Sequence, residues 1–154
     1  MRANTETSAQ TASAQAMPAM PPITEWPLGE LPRIGTEWPG QGGNLAGMVR
    51  GQNGEPDYLL ILGPEYDGEL PWQQIMDWAA SLEVEGHKDF TLPTRSEQAI
   101  LFGNTRDQFQ RDGYWSCEQL ADYAWMQTFD DGTQSGYRKG IEWRARAVRR
   151  LIIQ

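Results

Sequence analysis

Between residues 92 and 151 a sharply marked helix start is followed by aromatic-rich and arginine-rich runs of strand length, an order that favours short strands over a helical bundle. The helix start is the best-defined point. Thr94 and Glu97 have the spacing of a capping box, in which the Thr oxygen accepts the N–H three residues on and the Glu reaches back to the N–H of the cap. Pro93 biases Leu92 to extended backbone and so fixes where the helix begins. The spacing predicts a helix over residues 95–103 with Ala99, Ile100 and Phe102 facing inward. Runs at 114–117, 123–129, 133–139 and 144–152 read as strands, with Asp130-Asp131-Gly132 as a tight turn, so the second half is expected to form an antiparallel sheet.

The earlier part supplies the remaining elements. Apolar runs at 45–50 and 58–62 flank the turn formers Gly51, Asn53, Gly54 and Pro56, a hairpin pattern. Trp72, Ile75, Met76, Ala79 and Leu82 recur at helical spacing over 71–82, and Pro71 suits a first helical turn. Sixteen glycines, ten prolines and seven tryptophans fit a loop-rich α+β fold with short strands. At 154 residues the chain fits one domain, expected over 35–154, preceded by an arm over 1–34. Residues 1–22 are rich in Ala, Thr, Ser, Gln and Pro with no aromatic residue, a composition that buries little. Thr-Glu-Trp-Pro then occurs at 24–27 and again twelve residues later at 36–39, and Trp26 and Trp38 read as aromatic anchors that dock this arm on an assembly.

Charge and cysteine usage narrow the function classes. The net charge of −8 disfavours nucleic acid as a partner. Residues 137–154 nevertheless carry six Lys or Arg against one Glu, a local +5, which leaves seven basic and twenty acidic residues, −13, in the rest. Pairing of this basic end with the acidic body is the expected outcome. Cys117 stands alone, so neither an intramolecular disulfide nor a cysteine-based zinc cluster can form. No apolar run of signal-peptide or membrane-span type is present, and the expectation is a protein made in the cytoplasm without export, with virion association as a later fate.

Several motifs carry a family likeness. Leu92-Pro93-Thr94-Arg95-Ser96-Glu97, Tyr114-Trp115-Ser116, Ala124-Trp125, Phe129-Asp130-Asp131-Gly132 and Val148-Arg149 together resemble the C-terminal domain of the Legionella collagen-like adhesin, a family of bacterial and phage domains with the C-type-lectin-like fold. Trp38-Pro39-Gly40-Gln41-Gly42-Gly43 and Asp57-Tyr58-Leu59-Leu60 are similar to the front of phage-encoded members. The resemblance implies two helices packed on small antiparallel sheets, with long loops carrying ligand contacts. Members of the fold include adhesins, diversified phage receptor-binding tips and formylglycine-generating enzymes, so function is not inherited from it. The calcium loop and Trp-Asn-Asp strand of the sugar-binding lectins are missing, and Glu55-Pro56-Asp57 lies in the wrong half. The cysteine pair of the formylglycine-generating enzymes is missing too, so an enzyme of that kind is the least favoured reading.

No residue pattern asks for catalysis, a cofactor or a metal. His87, the single histidine, sits in a charged stretch and reads as a solvated loop residue. Cys117 beside aromatics reads as a buried, inert thiol. Asp-Gly within Asp130-Asp131-Gly132 is a hairpin turn and lacks the further acidic spacing of a calcium loop. Along the strand from 123, the aromatic set Tyr123, Trp125 and Phe129 with Gln127 is expected to face the core and Ala124, Met126 and Thr128 the other side. Trp115 is also assigned to the core, and Arg146 and Arg149 to structural ion pairs. Gln119, Asp122, Gln134, Tyr137, Arg138 and Trp143, in loops and strand edges, are the ligand-binding candidates, because Tyr, Trp and Arg give large contacts with polar tips. The expected function is a non-catalytic binding and display module for a protein or glycan surface. It would be encoded by a phage or prophage, oligomeric, and docked to a phage structural protein through its arm. The alternative is an acidic inhibitor that mimics nucleic acid on a host enzyme.

Overall fold

The computed structural model describes residues 31–153 as an α+β arrangement of two helices with two small antiparallel sheets. In chain order these are β1 (Glu37–Trp38), β2 (Gly43–Val49), β3 (Tyr58–Glu65), α1 (Trp72–Ser81) and α2 (Arg95–Thr105) with a 3-10 turn at Arg106–Gln108. They continue as β4 (Gly113–Leu120), β5 (Tyr123–Thr128), β6 (Gln134–Arg138) and β7 (Arg146–Ile152). The larger sheet has the order β1-β2-β3-β7 and the smaller β4-β5-β6. The expected single sheet in the second half is therefore corrected: β7 leaves its sequence neighbours and pairs along β3, with Leu60 opposite Arg150 and Leu62 opposite Val148. Its neighbour β3 is buried from Leu59 through Leu62, the continuous apolar run of a strand covered on both faces. Asn53 and Gly54, both at positive φ, make the turn that joins β2 to β3, closed by the Glu55 N–H donating to the Gln52 carbonyl at 3.0 Å.

β4 separates two cores because successive side chains on a strand point oppositely. Trp115 faces a core with Trp72, Ile75 and Ala79 of α1, Ala124 and Met126 of β5, and Leu92. Tyr114 faces another, between α2 and the larger sheet, with Leu101, Leu60, Val148 and Phe129. Trp115 is fully buried and donates from its indole nitrogen to the Leu70 carbonyl at 3.1 Å. Phe129 stacks on Phe109 with ring centres 3.9 Å apart.

Trp38, read from sequence as a docking anchor, is 4% exposed and belongs to the core side of β1, which pairs Trp38 with Gly43 of β2. The echoing Trp26 and almost all of the arm lie outside the described residues. The loop after Trp38 is held from the side: Glu85 accepts the Gly40 and Gly42 N–H groups at 2.9 and 2.8 Å, and the His87 Nε2 lies 2.8 Å from the Gly40 carbonyl. His87 is thus half-buried and engaged, not simply solvated.

α2 begins where the sequence places it. Thr94 accepts the Glu97 N–H at 3.2 Å and Glu97 accepts the Thr94 N–H at 2.8 Å, so both halves of the capping box form. Its inward face is different from the expected one. Ala99 is exposed, Ile100 and Phe102 are half-buried, and the buried residues are Glu97, Gln98, Leu101 and Thr105. This polar face is tolerated because its members are bonded. Gln98 donates to the Tyr114 carbonyl at 3.0 Å, Thr105 to the Leu101 carbonyl at 2.9 Å, and Glu97 meets Arg150.

Candidate functional site: the outer face of the small sheet

Cross-strand partners share a face, which allows the small sheet to be read side by side. Tyr123 pairs with Leu120 and Arg138, Trp125 with Gly136, and Gln127 with Gln134. These share one face, the outer face, which is exposed at Tyr123 and Arg138 and covered at its other end, where Gln127 is buried opposite Tyr114 of β4. The inner face carries Ala124 and Met126, both buried, so the assignment of the aromatic set to the core is corrected for Tyr123, 42% exposed, and for Trp125, half-buried. Two bulky aromatic rings on the core side would not fit, because Ala124 and Met126 already lie against Trp72 and Trp115 in a packed interior. Phe129, beyond the end of β5, does enter the core.

Each outer aromatic ring carries a guanidinium. Arg95, at the start of α2, lies over the Trp125 ring at 3.6 Å, and Arg138 lies over Tyr123 at 5.2 Å. Arg95 is also fixed in plane by its Nε donating to Gln134 Oε1 at 2.9 Å. Gln134 in turn donates to the Arg95 carbonyl at 2.8 Å and to Gln127 Oε1 at 2.9 Å, and Gln127 donates to the Gln98 carbonyl at 2.7 Å. The chain Arg95–Gln134–Gln127–Gln98 therefore ties the outer face to the buried side of α2. Among the described residues, neither Nη of Arg95 has a hydrogen-bond acceptor and no carboxylate pairs with Arg95 or Arg138.

Two concavities adjoin this face. One, of about 680 Å³, lies between the first turn of α2 and the β5–β6 turn and is lined by Arg95, Ser96, Gln127, Gln134, Asp131 and Glu118. The other, of about 660 Å³, lies under the β2–β3 turn and reaches Tyr58, Thr94, Arg150, Ser96 and Glu118. Ser96 and Glu118 line both, and Glu118 accepts the Arg95 N–H at 2.8 Å across the boundary. Beside the second cavity is a paired cluster: Glu97, fully buried, takes hydrogen bonds from Arg150 Nε at 2.6 Å, Arg150 Nη2 at 2.7 Å and the Tyr58 hydroxyl. Burial alone would raise the pKa of Glu97, but Arg150 and the hydrogen bonds win and hold it below the ordinary value. Burial and the neighbouring Glu97 push Tyr58 up to about 12, so it remains a neutral donor.

The sequence candidates divide between places. Gln134 and Arg138 belong to the outer face. Gln119 and Asp122 border it at the β4–β5 end, where Lys139 donates to the Gln119 side chain at 2.5 Å and to the Asp122 carbonyl at 3.0 Å. Tyr137 points to the opposite face and meets Trp143 edge-on at 5.4 Å. Trp143 is half-buried and packs against the core of α1 and β5. Missed were Arg95, Tyr123 and Trp125. Arg95 could be found only by knowing that the first turn of α2 overhangs β5, whereas the alternation that separates Tyr123 and Trp125 from Ala124 and Met126 was visible and assigned to the wrong sides.

The arginines of β7 have another role. Arg149, 5% exposed, bonds Asp89 at 2.9 Å and the Gln41 carbonyl and side chain at 2.9 and 2.8 Å. Arg146 donates to the carbonyls of Gly63 and Gln108 at 2.7 and 2.5 Å, with Glu65 at 3.9 Å. Arg144, ahead of β7, pairs with Asp112 at 3.0 Å.

Among the described residues no three His, Cys, Asp or Glu side chains cluster as metal ligands, and no helix is long and apolar enough to cross a membrane. Burial raises the pKa of Cys117, which keeps it a thiol. Comparison with protein-family models and with curated proteins found no match for this chain.

Proposed function

We propose that this chain is a non-catalytic binding and display domain of C-type-lectin-like fold, phage or prophage encoded, that recognises a protein or glycan surface through the outer face of β4-β5-β6. The observation that carries this reading is the pair of arginines stacked on aromatic rings beside an open polar groove, with donors that no carboxylate among the described residues takes up. Aromatic and arginine side chains held in place on a surface are the groups that dominate binding interfaces, since they lose little freedom when a partner arrives. The two helices beside two small antiparallel sheets support the lectin-like assignment at the level of architecture. The arm docks the domain on a virion or tail assembly, and several copies together turn weak single contacts into avidity.

Capture from cell envelope and virion fractions tests the reading. The full chain retains an envelope or virion component, and Tyr123→Ala with Arg138→Ala loses that capture while keeping the melting temperature. Equal capture by the variant overturns the assignment of the face. A chain lacking residues 1–33 keeps binding but fails to incorporate into the assembly; unchanged incorporation removes the docking role. The net charge of −8 favours a second reading, an acidic inhibitor of a nucleic-acid enzyme. Salt-sensitive capture of such an enzyme from host lysate, unaffected by substitution at Arg95 and Arg138, selects it.

A further inference from the structure

We infer that the partner of this face is an extended, acidic protein segment with carboxylates at alternate positions, laid along β6; the inference rests on the binding role proposed for the face. Three observations define this ligand. First, β6 is a terminal strand of its sheet, with Gly136, Tyr137 and Arg138 exposed, so a chain in β conformation can add to its outer edge through main-chain hydrogen bonds. Second, the two guanidiniums, neither paired with a carboxylate among the described residues, stand on successive rows of one sheet face. Arg95 sits over Trp125, whose cross-strand partner is Gly136, and Arg138 is two residues further along β6. Two residues of a strand advance about 7 Å, and in any added strand the side chains on that face are also two residues apart. A carboxylate-x-carboxylate pattern therefore meets both guanidiniums, whereas adjacent carboxylates point one to each face.

Third, the row between the flanking side chains Gln134 and Arg138 is left open. A Cβ built on Gly136 meets nothing within 4 Å, so a side chain from an added strand can reach the Arg95 guanidinium without displacing a protein group. The Arg95 plane is held by Gln134 and Trp125 before any ligand arrives, and its Nη donors are the ones left for a carboxylate. The charges are complementary: the chain as a whole is acidic, yet this face offers two cations with no carboxylate partner among the described residues. The acidic residues at the groove, Glu118 and Asp131, lie toward the α2 end and the β5–β6 turn, which sets the direction in which the acidic stretch must end.

The test uses the full chain and a fluorescently labelled synthetic peptide in which two glutamates are separated by one threonine. Its controls are a labelled isomer with adjacent glutamates and a labelled polyuronate oligosaccharide. Fluorescence anisotropy is expected to give saturable binding of the alternating peptide, at least about ten-fold weaker binding of the isomer, and a further loss of about ten-fold in each of Arg95→Gln and Arg138→Gln. Arg138→Gln is an exposed change and keeps the fold, so its result stands even where Arg95→Gln loosens the α2 start. Equal affinity for the two peptides overturns the inference, because it reduces recognition to net charge. No peptide binding, with Arg95-dependent binding of the oligosaccharide, overturns the protein-segment inference and leaves the binding role of the face intact. Absence of binding to both probes, with unchanged envelope or virion capture in Tyr123→Ala/Arg138→Ala, overturns both readings.

Discussion

Arginine serves opposite ends in the two sheets. On β7, in the larger sheet, Arg146, Arg149 and Arg150 have their donors turned to carboxylates, carbonyls or a glutamine of neighbouring elements. On the small sheet, Arg95 and Arg138 are supported by aromatic rings instead, and no carboxylate among the described residues pairs with them. A guanidinium held by anions is a fastener. One held by a ring and a single Nε bond keeps its orientation without being neutralised, and this is the state in which it can recognise something else. The local +5 of residues 137–154 is thus mostly consumed inside the fold, as the charge pattern suggested, and the residual recognition capacity comes from Arg138 within that segment and Arg95 outside it.

The comparison is broken most strongly at β7. Arg150→Ala leaves Glu97 buried without its cation and should cost about 4 kcal/mol, read as a fall in the urea midpoint without a change in slope. A loss below about 1 kcal/mol would place the pair among exposed ion pairs and erase the distinction between the sheets.

Acid should reveal the same cluster. Because the folded pKa of Glu97 lies below its ordinary 4.5, the cluster stabilises the protein fully above that value, and the contribution fades as pH falls from 4.5 through the depressed folded pKa. Thermal melts across that window should show a steeper acid loss in the native chain than in Glu97→Gln, which starts lower at neutral pH and titrates less. Parallel profiles would assign the acid sensitivity to other carboxylates, with Asp89 the next candidate, since it too is held low: burial opposes, but Arg149 prevails.

Effects at the small sheet should be smaller on stability. Arg95→Ala removes the stack on Trp125 and the Gln134 bond, an expected loss of about 1 kcal/mol by calorimetry, with a red shift of indole emission as Trp125 gains solvent. Arg95→Lys keeps the charge without the planar fork and should recover little of the binding. Arg138→Ala and Tyr123→Ala should each change stability by less than about 0.5 kcal/mol while weakening capture. A destabilisation as large as that of Arg150→Ala would turn this face into a structural one.

Much of the scaffold was legible. The start of α2 was, because a capping box and a preceding proline act within a few residues. The Asn53-Gly54 and Asp131-Gly132 turns were, because positive φ at glycine or asparagine is a local demand. Trp115 and Phe129 were assignable to the core from their size. The inner face of α2 was not, since Glu97 and Gln98 become acceptable core residues only when Arg150, Tyr58 and Tyr114 arrive from distant segments. Trp38 and Trp26 occur in identical tetrapeptides, yet the burial of Trp38 depends on the pairing of β1 with β2, which the tetrapeptide does not encode.

The sequence by itself determined where helices and turns begin, which residues alternate along each strand, and that the basic end would face an acidic body. These depend on backbone preferences and periodicity, whose range is a few residues. Tertiary structure decided that β7 joins β3 and not β4-β5-β6, that Ala124 and Met126 face inward while Tyr123 and Trp125 face out, and that Arg95 rests on Trp125. Alternation divides a strand into two sides but gives no sign to either. That sign is set by which side the other elements can fill at native packing density, and here the space beside Trp72 and Trp115 takes an alanine and a methionine, leaving the larger rings on the outer face.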